Sequence, residues 1–239
     1  MAWRESYLDA LLIPAGLLFP AAYHLWLWRT VRRRPLRSAV GISAAARRLW
    51  VAGMMQDNGK KAVLVVQSLR NVIMGSTLVA TTSILFCTGV AAVVSSTYAF
   101  VSALKYGALL LFFLLAFLCH SLAICSLNQA AFLINALSPA SPAAALHIPA
   151  VTREYVADVL ERGFLLSLAG NRLFFAGAPL LLWVFGPVLP CLGSMAVVPI
   201  LYCIDMAVPA AADDGAGSDG SKGVMDISRS TADQSMQQV

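Results

Sequence analysis

The sequence predicts an all-α integral membrane protein: a helical bundle of four transmembrane helices with amphipathic helices on its cytoplasmic side. Three observations predict it. Of the 239 residues, 59% are hydrophobic and only 12% charged, where a soluble domain carries roughly a quarter charged. The apolar residues gather in four long stretches, about 8–28, 72–94, 104–127 and 173–206. The positive charge lies between these stretches, almost entirely on alternate sides.

The first span, Leu8 to Trp28, would form a helix about 31 Å long, which matches the hydrocarbon core. Its charged flank comes after it, beginning Arg29, Arg32, Arg33, Arg34, Arg37, the reverse of a cleavable signal peptide. Pro14 and Pro20 predict kinks, and Tyr23, Trp26 and Trp28 an aromatic belt beside the arginines.

Between Arg29 and Asn71 stand ten Lys or Arg residues against the single acid Asp57, so this segment is expected in the cytoplasm. Within it Ala46, Leu49, Trp50, Gly53 and Met54 share one side of a helix, with Arg47 and Arg48 beside them, the pattern of an interfacial helix. Asp57-Asn58-Gly59 reads as a turn before the second span.

The second and third spans are joined by the short uncharged connection Ser95 to Ala103, which predicts an antiparallel hairpin with helix continuing to about Leu137. A second cytoplasmic segment holds an amphipathic helix from Thr152, its N-cap, to Arg162, ended by Gly163. Tyr155, Val156, Val159 and Leu160 take one face, and Glu154, Asp158 and Glu161 the other. Those carboxylates can pair with Arg162 or with the arginines of the first loop; they lack the oxygen count of a calcium site.

The last apolar region, Leu173 to Met206, is too long for one perpendicular crossing and carries Pro179, Pro187, Pro190 and Pro199. It reads as one tilted, broken helix, the alternative being two half-helices meeting near Gly186 to Gly193. One crossing puts the residues after Met206 opposite the basic loop. Residues 209–239, with five aspartates against Lys222 and Arg229, read as a disordered acidic tail beyond the membrane domain of residues 1–208. The ending has no prenylation or ER-retention signal, and Met1-Ala2 no myristoylation start.

Two groups of residues are candidates for function. Arg32, Arg33, Arg34, Arg47, Arg48 and Trp50 are placed to meet anionic headgroups or a partner, each basic residue contributing about 1 kcal/mol near a charged surface. Ser121, Asn128 and Asn135 recur every seven positions on the third span, with His120 and Gln129 adjacent. That stripe, facing Thr77, Thr81, Thr82, Ser83 and Thr88 across the hairpin, offers either hydrogen bonds between helices or a wetted path. The five cysteines, Cys87, Cys119, Cys125, Cys191 and Cys203, form no CxxC or zinc spacing and read as reduced packing residues. With His24, His120 and His147 isolated and no nucleophile, P-loop or dinucleotide motif, the expectation is no enzyme, no cofactor and no metal.

The segments Gly41–Val51, Lys60–Asn71, Ala80–Leu85, Ala116–Ile124, Leu160–Phe164 and Leu182–Pro187 together resemble a plant family of multi-pass membrane proteins known only as a domain of unknown function. The resemblance covers all but the acidic tail and implies the four-span helical fold, with no site residues attached. The function expected is a lipid-interacting or scaffolding component whose partners are membrane lipids, with a homo-oligomer or other membrane proteins possible and no nucleic acid. The alternative is a small channel or transporter subunit acting as an oligomer.

Overall fold

In the computed structural model the described residues are 2–56, 62–95, 100–136, 152–186 and 188–206, with backbone only for 2–10, 13, 56, 62, 100–105, 184 and 185. They form six helices: α1 (Ala2–Arg33), α2 (Ala39–Gln56), α3 (Ala62–Ser95), α4 (Phe100–Ala136), α5 (Arg153–Leu180) and α6 (Val188–Asp205). Short 3-10 turns, Pro35–Arg37 and Leu181–Phe185, lead into α2 and out of α5. Among the described residues, four stretches are long and apolar enough to cross a membrane: Val63–Ser95, Tyr106–Ala136, Arg153–Trp183 and Val188–Asp205. The predicted first span lies within α1. The turn at 57–61 and the tail lie outside the described residues.

The α3–α4 hairpin is present as predicted. With 34 and 37 residues, its helices rise about 50 Å, well beyond the roughly 30 Å hydrocarbon thickness. The chain passes from one helix to the other between Ser95 and Phe100, and the far end of the hairpin is the basic end. There α2 packs across the bundle: Val51 and Met55 join Val65, Leu69, Leu127, Ile134, Val156 and Leu160 in one buried cluster. A second cluster, around Leu109, Phe113, Val90 and Leu180, fills the opposite end.

The helix predicted to stop at Gly163 runs on without a break to Leu180. Thr152 caps it as predicted, accepting from the Tyr155 backbone N–H at 3.2 Å. Gly163 is needed for tertiary contact, not termination: a Cβ there would stand 2.9 Å from Leu127. Seven residues on, a Cβ at Gly170 would meet the His120 ring at 2.6 Å; seven more, one at Gly177 would meet Phe112 and Phe113 at 3.3 and 3.4 Å. As α5 advances by sevens, its partner on α4 falls back from Leu127 through His120 to Phe113. The two helices are therefore antiparallel and in close register through small residues.

The region 173–206, for which the sequence predicts one tilted crossing, is the last two turns of α5, the 3-10 turn Leu181–Phe185 and the whole of α6. The chain turns at Gly186, whose φ of 136° suits only glycine. Gly193 lies against Pro179 and Asp205 bonds to Arg172, so α5 and α6 fold back antiparallel. Gly16 of α1 meets Cys191 near the start of α6, and Trp26 meets Tyr202 near its end, so α1 and α6 run parallel. The end of α6 consequently lies beside the arginine-rich end of α1, not on the opposite side as the single-crossing reading implies.

Candidate functional site at the basic end of the bundle

The predicted headgroup site separates into two groups. Arg47 points inward. It forms a two-pronged pair with Glu161, Nε and Nη2 each donating at 2.9 Å, and its guanidinium lies 4.4 Å from the Phe164 ring centre. Both partners are largely buried, at 19% and 15% exposure. Arg48 donates to Asp158 at 2.8 Å from the surface. Asp158 thus pairs across to α2 rather than with Arg162 on its own helix. Trp50 packs on the edge of the buried cluster. These residues tie α2 to α5.

Arg32, Arg33 and Arg34 are exposed at the end of α1, with no carboxylate partner among the described residues. Arg32 stacks over Trp28 at 4.2 Å, a cation–π contact that holds the cluster beside the aromatic belt. The corner into α2 is rigid: buried Ser38 accepts from the Gly41 N–H at 3.1 Å, and a Cβ at Gly41 would strike the Pro35 carbonyl oxygen at 2.1 Å. On α2, Ala45, Ala46 and Leu49 face outward, Leu49 at 76% exposure. Of the predicted apolar face, Ala46 and Leu49 are outward, Gly53 is half-exposed, and Trp50 and Met54 turn partly inward. Sequence reading missed the opposite face of Val51 and Met55, because it carries Arg47 among its apolar residues.

The intramembrane stripe does not assemble. Asn128 and Gln129 are exposed, Ser121 and Asn135 half-buried, and His120 turns to the other face of α4, fully buried against Gly170. Thr77, Thr82, Ser83 and Thr88 each donate to the carbonyl four residues back on α3, at 2.8–2.9 Å, so those hydroxyls are satisfied within their own helix. A serine contact between helices forms instead between Ser76 of α3 and Ser167 of α5, at 3.0 Å. The five cysteines are free; Cys87 is buried as a packing residue, whereas Cys125 and Cys203, read as packing residues too, are exposed.

One cluster escaped sequence analysis. Asp205, 2% exposed, accepts from Arg172 and, at 2.6 Å, from the Tyr23 hydroxyl, locking α6 to α5 and α1. Two acceptances on one carboxylate, one from a guanidinium, meet the demand that a buried charge be paired and hydrogen-bonded. The signal was present: Arg172 and Asp205 flank the same apolar region. No group of three or more His, Cys, Asp or Glu side chains among the described residues could hold a metal ion.

Compared with known proteins, no curated protein and no solved structure matches this chain. The model of one family matches residues 11–210, which include every described helix from the middle of α1 to the end of α6. By that match the chain belongs to the family described as a protein of unknown function, DUF599.

Proposed function

We propose that the protein is a non-enzymatic membrane component that engages anionic lipid headgroups through Arg32, Arg33 and Arg34, with α2 lying beside them in the membrane interface. The observation that carries this reading is the contrast among the arginines. Arg47 and Arg48 have carboxylate partners on α5, whereas the three at the end of α1 are exposed beside Trp28. The outward face of α2, Ala45, Ala46 and Leu49, supplies the apolar half of an interfacial helix. Basic residues near an anionic surface contribute about 1 kcal/mol each, so the three together add about 3 kcal/mol to holding this end of the bundle against anionic headgroups.

The oligomeric channel has less behind it. Asn128 and Gln129 adjoin Leu127, which packs with Leu69 and Leu160 at the basic end of the bundle, a level where exposed amides meet headgroups and water.

The test is binding of soluble phosphoinositide headgroups to the full chain in nanodiscs. Replacing Arg32, Arg33 and Arg34 together by Gln should weaken binding roughly a hundredfold, about 1 kcal/mol for each charge. Replacing Arg48 alone should change it little. Equal affinity for the triple variant and the wild type would remove the reading.

A further inference from the structure

The turn at Gly186 brings the end of α6 back to the arginine-rich end of α1. Leu27 and Leu201 share one buried cluster, with Val31 packed on it, and the Trp26 and Tyr202 ring centres lie 6.0 Å apart. Four residues beyond Leu201 is Asp205, where α6 ends; four beyond Leu27 is Val31, the residue before Arg32. Because the two helices run parallel, at the usual spacing of about 8–10 Å, the chain leaves α6 level with the start of the Arg32, Arg33, Arg34 cluster. Those three side chains are exposed, with no carboxylate partner among the described residues.

The residues after Met206 lie outside the described ones, but their charge is written in the sequence. Residues 207–221 hold Asp213, Asp214 and Asp219 and no Lys or Arg, whereas in 222–239 Asp226 and Asp233 are balanced by Lys222 and Arg229. The net negative charge is therefore gathered in the part nearest α6. From Met206 to Asp213 the chain can reach at most about 25 Å, well beyond the spacing of α1 and α6. Acids tethered that closely meet the arginines at an effective concentration in the millimolar range.

We propose that residues 207–221 are the occupant of the exposed arginine cluster: Asp213, Asp214 and Asp219 pair with Arg32, Arg33 and Arg34 and compete there with anionic headgroups. The competition rests on the reading of that cluster as a headgroup site; the pairing does not. Each pair is exposed and individually weak, so the segment stays on the cluster opposite neutral lipid and yields to a dense anionic surface. The acidic segment thereby sets which membranes the basic end engages.

The experiment uses the full chain in phosphatidylcholine nanodiscs, with Arg33→Lys supplying an amine while keeping the charge. A water-soluble carbodiimide joins only an amine and a carboxylate in direct contact, and mass spectrometry locates the bond. Coupling at position 33 should favour Asp213, Asp214 and Asp219 over Asp226 and Asp233. It should drop at least about fivefold in roughly 1 M salt, where the Debye length is about 3 Å. In the otherwise unaltered chain, Asp213→Asn, Asp214→Asn and Asp219→Asn together should tighten binding of soluble phosphoinositide headgroups about threefold, the modest gain expected from removing weak exposed pairs. Coupling that is absent, insensitive to salt or equal at all five aspartates would overturn the proposal. Coupling only between isotopically distinct copies in a mixed preparation would make the occupant a second chain and overturn it too. So would unchanged headgroup affinity in the aspartate variant when the triple arginine variant loses binding. If no form of the protein binds headgroups, the headgroup reading falls and the competition with it, while the coupling still decides the pairing.

Discussion

Arg47 and Arg48 both meet carboxylates of α5, yet burial separates them. The Arg47–Glu161 pair is bidentate and mostly out of water, whereas Arg48 and Asp158 are 56% and 51% exposed. Truncating one member of a buried pair strands the other and costs about 3–5 kcal/mol; an exposed pair is worth about 1 kcal/mol or less. Arg47→Ala should therefore lower unfolding stability in detergent by several times more than Arg48→Ala, and comparable losses would show that Arg47 is not held as described. Asp205 is tested in the same way. Asp205→Ala leaves Arg172 as an unpaired buried cation, so the double variant Arg172→Leu, Asp205→Leu should melt closer to the wild type than Asp205→Ala does. None of these pairs could be assigned from residue type alone. The sequence allowed the carboxylates of α5 to meet either Arg162 or the first loop, and only the packing of α2 across α5 decides between them.

At the level of helices, hydropathy placed the hairpin of α3 and α4 and the cap at Thr152, because both arise from local pattern. It misjudged Gly163 and placed the turn near Gly186 only as the alternative to a single crossing, because a glycine that admits a neighbour and one that turns the chain look alike in one dimension. Gly163, Gly170 and Gly177 let α4 approach; Gly186, at φ 136°, reverses the chain. The flanking charges held the missing clue. Were 173–206 one helix, Arg172 and Asp205 would stand about 50 Å apart at 1.5 Å per residue, each alone at a membrane boundary; folded back, they neutralise one another. The same glycines give a graded test. Gly170→Ala drives a methyl into His120 and should cost about 1–3 kcal/mol, partly restored by adding His120→Ala. Gly53→Ala, with nothing within 4 Å of the new Cβ, should be neutral or stabilise α2 by up to about 1 kcal/mol. A larger loss at Gly53 than at Gly170 would contradict the α4–α5 register.

For the molecule as a whole, the parallel course of α1 and α6 brings the end of α6 to the arginine side. A thiol introduced by Met206→Cys, in a background lacking the native cysteines, should react with a membrane-impermeant maleimide from the same side as Ser43→Cys. Labelling from opposite sides would restore the single crossing that the hydropathy of 173–206 suggests. The fold and its basic end were legible in the sequence because charge asymmetry and apolar length survive without coordinates. The division of the arginines and the Tyr23–Arg172–Asp205 cluster were not, since each joins residues distant in the chain.

In the proposed reading α2 and the end of α1 form a ledge in the interface, Leu49 toward the acyl chains and Arg33 at the headgroups. The direct measurement is the depth of spin labels at Leu49→Cys and Arg33→Cys in nanodiscs, read from relaxation by oxygen against a water-soluble nickel complex. The Leu49 label should lie roughly 5–10 Å below the headgroup boundary and favour oxygen, while the Arg33 label stays at the boundary. A Leu49 label as open to nickel as one in bulk water would contradict it.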